Sequence, residues 1–358
     1  MIMVNMATED SVTFDPDLPD VYGDAQPKQL LRTIIEEHEQ LQTLANRHVI
    51  SSGQFSRDVM LQLFRLAAKF ECNPERFNSP LAGKLLISAF YEPSTRTRLS
   101  FESAWHRLGG DIMSIADRST TGIAKGESYA DVAEMFNNYG DCVVLRDSDP
   151  EAVYQMARSL RIPIINAGNG IMEHPTQALA DVYTILKWRP ELLTDDAKPI
   201  RIGVVGVPKR MRTVRSLLTL LSQFSDIIEE LVVISDRPAK TAFADGQLEA
   251  LEEAGLNVRL SNELDGELPE LDVVYINAIA WVKNAREVMG NAFRLDDQSP
   301  LKEGAIILHP LARGPELDVS LDTTPHNWYF AQARGAVFVR KALLTCMTQR
   351  TERVMDVV

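Results

Sequence analysis

Residues 85–90, Leu-Leu-Ile-Ser-Ala-Phe, form an apolar run that Glu92-Pro93 brings to a stop. A run this short, bounded by a proline, predicts a buried strand. Ser94-Thr95 then stands where a helix N-cap belongs, and Leu99, Phe101, Trp105 and Leu108 follow at helical spacing. The same order of strand, turn and helix recurs along the chain. Residues 110–116, 141–146, 162–168, 200–206, 231–236 and 271–276 read as further strands, and 305–314 as a strand leading into a loop. Helices are expected over 128–138 and 248–254, and from His174-Pro175 and Arg212 onwards. Strands alternating with helices build parallel sheets covered on both faces. With 358 residues there is core enough for two such units, so the expected class is α/β with two doubly wound parallel-sheet domains.

The first strand–helix junction also carries chemistry. A helix N-terminus presents backbone N–H groups without intrahelical partners and the positive end of the helix dipole. Hydroxyls of Ser94, Thr95 and Thr97 and guanidiniums of Arg96 and Arg98 add donors there. Such a set suits a phosphate or a carboxylate. A capped helix with solvated arginines is the plainer reading, but three hydroxyls and two arginines in five residues argue against it. The net charge of −13 speaks against nucleic acid or an anionic membrane as the main partner, while allowing a locally basic pocket. Cys72, Cys142 and Cys346 are isolated and lack metal-ligand spacing, so reduced thiols and no metal are expected. Gly203 and Gly206 alone do not make a dinucleotide fingerprint, and no cofactor is expected. No apolar run approaches a membrane span and no basic-then-apolar leader opens the sequence, which points to the cytoplasm.

Tyr91-Glu-Pro-Ser-Thr-Arg-Thr-Arg-Leu-Ser-Phe-Glu102 resembles the carbamoyl-phosphate signature of the aspartate/ornithine carbamoyltransferases. A second signature of that family, His-Pro-Thr-Gln, is intact at 174–177. His309-Pro-Leu311 resembles the aspartate type, although Ala312 stands where those enzymes usually have proline. The resemblance implies that Ser94, Thr95, Arg96 and Thr97 hold the phosphate of carbamoyl phosphate. It places Arg146 and His174, with Thr97, at the carbonyl oxygen, Gln177 at the amide and Leu311 beside both substrates. Asp147 stands where a histidine often follows the arginine. The polar, glycine-punctuated segment 117–127 resembles the family's swinging loop, whose serine and lysine enter the adjacent subunit's site. Thr121 and Lys125 match those two positions, so a homotrimer with shared sites is implied. Arg212 matches an acceptor-side arginine.

Four segments follow from these readings. Residues 1–46 are an N-terminal extension, an acidic arm and then a helix over 28–46. Its stripe of Leu30, Leu31, Ile34, Ile35, His38 and Leu41 must be buried on its own domain or on a neighbouring subunit, which leaves room for further assembly. Residues 47–187 are expected to bind carbamoyl phosphate, and 188–335, after a hinge, an amino-acid-like acceptor. By the resemblance, residues 336–358 form a C-terminal helix that returns to the first domain.

Carbamoyl transfer requires an amine to attack a planar carbonyl while phosphate leaves. Negative charge develops on the carbonyl oxygen and the phosphate, so preorganised donors suffice without a covalent nucleophile. The implied donor half is complete; the acceptor half departs from the family. Aspartate enzymes carry Thr-Arg-Val-Gln where this chain has Asn277-Ala-Ile-Ala280, and a gapless alignment replaces the carboxylate-binding arginine and glutamine with Ala278 and Ala280. The Ser-Met-Gly loop of ornithine enzymes is also missing. The first reading is therefore a carbamoyltransferase whose acceptor is neither aspartate nor ornithine. The second is an aspartate carbamoyltransferase in which Lys283 or Arg286 compensates. The third is a non-catalytic assembly subunit.

Overall fold

The computed structural model describes residues 25–74, 77, 79–277 and 293–349, and the backbone at 281–282 and 285–286. Helices α1 (Pro27–Thr33), α2 (Glu39–Gln42) and α3 (Arg57–Cys72) precede β1 (Leu85–Phe90). There follow α4 (Thr95–Arg107), β2 (Asp111–Ile115), α5 (Tyr129–Tyr139), β3 (Cys142–Asp147), α6 (Ala152–Ser159), β4 (Ile164–Asn169) and α7 (Pro175–Trp188). The strands of this first unit are parallel in the order β2-β1-β3-β4. The second unit comprises β5 (Ile200–Val205), α8 (Arg212–Leu221), β6 (Ile228–Ile234), α9 (Ala239–Ala242), α10 (Gln247–Glu253), β7 (Val258–Ser261), α11 (Leu264–Glu267) and β8 (Val273–Ile276). A small ribbon of β9 (Trp281–Val282) and β10 (Ala285–Arg286), then β11 (Ile306–Leu308), complete it. Its sheet is parallel in the order β11-β8-β5-β6-β7. The last helix, α12 (Tyr329–Met347), starts before residue 336.

Both sheets are covered on both faces, which is why their central strands are apolar almost throughout. On the first sheet, Phe101, Trp105 and Leu186 pack on one side and Val132, Phe136 and Met156 on the other. Helix α7 is buried along all but its last residue and packs on α8, so one apolar cluster runs from the first sheet to the second. Helix α12 leaves the second unit's core at Tyr329 and ends against α3, α4 and α7 with Leu343, Leu344 and Met347 buried. Leu99, expected on the inner stripe of α4, is half exposed. The sequence reading has no counterpart of β7, whose four residues are only half-buried and carry no apolar run.

The expected helix over 28–46 is two short helices with a break between them. Three backbone groups of the break bond to α3 instead of continuing the helix. Gln62 accepts from the Glu37 N–H at 2.9 Å and donates to the Ile35 carbonyl at 2.8 Å, while Arg65 Nε donates to the Ile34 carbonyl at 3.0 Å. Leu30, Ile34 and Leu41 join the core under α3, so the extension packs on its own domain, and Ile35 is turned outward, 81% exposed.

Candidate active site

Helices α4, α7 and α8 all open onto one cavity of about 600 Å³. Their flanking residues, Ser94, His174 and Met211, make no side-chain cap bond. The first N–H groups of α4 and α8 therefore have no partner within their helices, whereas α7 opens with Pro175, which has no N–H, and its Gln177 N–H donates to the His174 carbonyl at 3.1 Å; three dipole ends converge. Converging dipole ends and free backbone N–H groups suit an anion before any charged side chain is counted.

The side chains add to it. Strand β3 carries Arg146 to its carboxyl end, opposite Phe90 of β1. The β3–β4 register shifts between Leu145 and Asp147, so Arg146 sits at an irregularity on the β4 side of the strand. Arg146 Nη2 lies 2.9 Å from a Glu92 carboxylate oxygen, and Arg212 Nη2 lies 3.2 Å from the same oxygen. Gly168, at φ +116°, passes beside both guanidiniums; a Cβ there would sit 3.3 Å from Arg212 and 3.4 Å from Arg146. Burial, helped by the Arg212 charge and opposed by Glu92, pushes Arg146 down to about 10, so it stays a cation at neutral pH. His174 is buried, and burial together with the charges of Arg146, Arg212 and Arg340 holds its pKa well below the usual value. The imidazole is thus neutral at pH 7. Arg146 Nε and His174 Nδ1 are buried without hydrogen-bond partners among the described residues.

The turn that delivers His174 is tied down locally. Asn166 Oδ1 accepts from the Gly168 N–H at 2.8 Å, and Asn169 Oδ1 accepts from the Glu173 N–H at 3.1 Å. The Ser216 hydroxyl accepts from the His174 N–H at 2.9 Å, joining α7 to α8. From the second unit, the Leu311 N–H donates to His309 Nδ1 at 2.8 Å. That leaves the proton on Nε2, which donates to Glu316 at 3.0 Å and holds the loop carrying Leu311. The Leu311–Ala312 peptide bond is cis. Asn277 Nδ2 donates to the Thr213 hydroxyl at 2.8 Å.

Ser94, Arg96, Thr97, Arg146, His174, Gln177, Arg212, Asn277 and Leu311 all line the cavity. Thr95, Thr121 and Lys125 do not. Thr95 and Lys125 are exposed, and Thr121 donates to the Arg118 carbonyl at 2.7 Å. Ala278, Ala280, Lys283 and the Arg286 side chain lie outside the described residues. Glu92 lies within the 91–102 motif, but nothing in the local pattern marks it as a partner of Arg146 and Arg212. Gln332 and Arg340 of α12 also line the cavity without having been expected there, although an arginine inside the apolar stretch Phe338 to Leu344 is itself a signal.

The family model for the carbamoyl-P binding domain of aspartate/ornithine carbamoyltransferase matches residues 47–187, and that for the Asp/Orn binding domain matches 198–347. The chain belongs to the aspartate/ornithine carbamoyltransferase family. The aspartate carbamoyltransferase catalytic subunit of Chromobacterium violaceum is 35% identical over 85% of this chain and 99% of its own length. That of Methanopyrus kandleri is 38% identical over 85% and 98%. The crystal structure of aspartate transcarbamoylase from Trypanosoma cruzi in complex with N-(phosphonacetyl)-L-aspartic acid aligns with a TM-score of 0.76 at 30% identity, covering 87% of this chain and 99% of that one. In this carbamoyltransferase the cavity supplies fixed cations, a neutral imidazole and three helix ends around one space. No group of three or more potential metal ligands occurs among the described residues. No described helix is long and apolar enough to cross a membrane.

Proposed function

We propose that the chain moves the carbamoyl group of carbamoyl phosphate to the amino group of aspartate. The observation that carries the donor half is the convergence of α4, α7 and α8 N-termini with Arg96 and Arg146 on one cavity. Phosphate is assigned to Ser94, Arg96 and Thr97, with Thr95 joining them through its backbone N–H as the first residue of α4, where departing charge meets backbone N–H groups and a guanidinium. The carbonyl oxygen is assigned to Arg146, Thr97 and His174. A neutral His174 serves as a hydrogen-bond donor there, so the oxygen's growing charge is stabilised without a proton transfer. Gln177 is assigned to the carbamoyl amide. The departing phosphate, held beside the attacking amine, is the nearest base for its proton.

The acceptor is where the first sequence reading is revised. The relatives named above are aspartate enzymes, which favours the second reading over an unrelated amine. Arg212, at the N-terminus of α8 and in the same cavity, is assigned to the acceptor's α-carboxylate, with Asn277 and Leu311 beside it. The β-carboxylate falls to the segment after Asn277, where Lys283 or Arg286 takes the place left by Ala278 and Ala280. Thr121 and Lys125 are assigned to the site of an adjacent subunit in a homotrimer, in line with their lying off their own chain's cavity. The N-terminal extension offers exposed Ile35 as a point of further assembly. Saturation kinetics with aspartate test the reading. Half-saturation at millimolar aspartate or below, with ordinary turnover, is expected. Turnover of another amine with aspartate inert would return the acceptor to the first reading, on the strength of Ala278 and Ala280.

A further inference from the structure

A backbone N–H can only donate. That of His309 donates to Gln332 Oε1 at 2.8 Å, which turns the Gln332 amide nitrogen the other way. Gln332 Nε2 then donates to Asp181 Oδ1 at 2.6 Å, and Gln177 Nε2 donates to the same oxygen at 2.7 Å. Asp181 is fully buried, and His309, Gln332 and Gln177 are each at most 9% exposed. Turning Gln332 over would set its amide nitrogen against the His309 N–H, donor against donor. Turning Gln177 over would set its carbonyl against Asp181, acceptor against acceptor. Both turns leave a buried polar group unpaired. With its –NH₂ held on Asp181, Gln177 has its carbonyl oxygen left for the cavity it lines.

We propose that Asp181, itself aligned by Gln332 and the His309 backbone, holds Gln177 with its carbonyl toward the substrate. This positioning sets the preference for a carbonyl group bearing –NH₂ over one bearing –CH₃. Asp181 and Gln177 share α7, Gln332 lies on α12 and His309 follows β11, so the relay starts in the second unit and ends in the first. The inference rests on the assignment of Gln177 to the carbamoyl amide. Without Asp181 the Gln177 amide is free to turn and present –NH₂, which opposes an amide and is indifferent to a methyl.

Two stable phosphonates differ at that one group: phosphonoacetamide carries –NH₂ and acetonylphosphonate carries –CH₃. Calorimetry gives the ratio of their dissociation constants on one protein preparation, so partial unfolding of a variant cancels. Wild type should bind the amide at least about tenfold more tightly, the scale of one buried hydrogen bond made or opposed. Asp181→Ala should bring the ratio to within about threefold of unity. Asp181→Asn should keep the wild-type ratio, because the fixed Gln332 amide forces the new side chain's oxygen toward it. Gln177→Leu should lose the preference as Asp181→Ala does. Loss in Gln177→Leu but not in Asp181→Ala, or equal loss in Asp181→Asn and Asp181→Ala, overturns the relay alone. A wild-type ratio near unity, or one unchanged in Gln177→Leu, overturns the Gln177 assignment and the relay with it.

Discussion

Arg146 and His174 sit in the same low-dielectric pocket, and burial sends them to different charge states. Both are pushed toward neutrality, but an arginine starts so high that it remains charged, whereas a histidine starts near neutrality and loses its proton. Arg96 stands at the open side of that cavity. Arg96→Ala removes one charge-assisted contact, expected to cost roughly 1.5–3 kcal/mol, or about ten- to a hundredfold in the dissociation constant of phosphonoacetamide. Calorimetry that finds equal affinity for wild type and variant would take Arg96 out of the phosphate site. Asp181 shows the opposite burial effect. Burial, against the donors Gln332, Gln177 and Tyr275 and the charge of Arg340, raises its carboxyl from 3.8 to about 7. Between those values the folded state binds more protons than the unfolded one, so this group's contribution to stability falls as pH rises through the window. Asp181→Asn removes that titration. Its stability relative to wild type should therefore rise by roughly 2–3 kcal/mol from about pH 5 to about pH 8. Urea melts at the two pH values check this, and a pH-independent difference would mean an ordinary carboxylate.

Among the elements, α1 and the 118–125 turns depend most on tertiary contacts. Helix α1 has seven residues, too few to be stable alone, and it persists because Leu30 is fully buried against α3. Leu30→Ala should cost about 2–5 kcal/mol, read from denaturant unfolding. A loss below about 1 kcal/mol would show that the extension is not coupled to the main core. The turns that carry Thr121 and Lys125 are pinned at both ends by one residue. Asp147 accepts from Arg118 Nη1 and from the Tyr129 hydroxyl, each at 2.7 Å, while its own backbone follows Arg146 in β3. The loop is thus tied to the strand that carries Arg146 into the cavity.

At the scale of the molecule, the cavity lies where the two units meet, and the connections between them include α7 packing on α8, the Glu92–Arg212 pair and α12. One chain leaves Lys125 outside its own cavity. Arg96→Ala and Lys125→Ala should each be nearly inactive alone. Refolded together, they should regain activity, because in the proposed trimer some mixed interfaces would bring wild-type Arg96 and wild-type Lys125 to one site. Verified mixed trimers with no recovery would argue that Lys125 serves its own chain or no site at all.

The α/β class was legible in the sequence because a buried parallel strand must be apolar and its helices must repeat at their own period. The apolar runs at 85–90, 141–146 and 200–206 all became strands. The cavity-lining motifs were legible because each is contiguous: a strand end, a turn and a helix start deliver Ser94, Arg96 and Thr97 together, as His174 and Gln177 follow from the start of α7. The break after Thr33 was not, since what ends that helix is Gln62 and Arg65 of α3, about thirty residues away in sequence. Glu92 between two arginines, Arg340 reaching the cavity and Gln332 bonded to Asp181 were also set by tertiary structure alone. Local pattern records which face of an element is apolar. Which buried polar groups find one another is decided only when the elements pack and each donor must meet an acceptor.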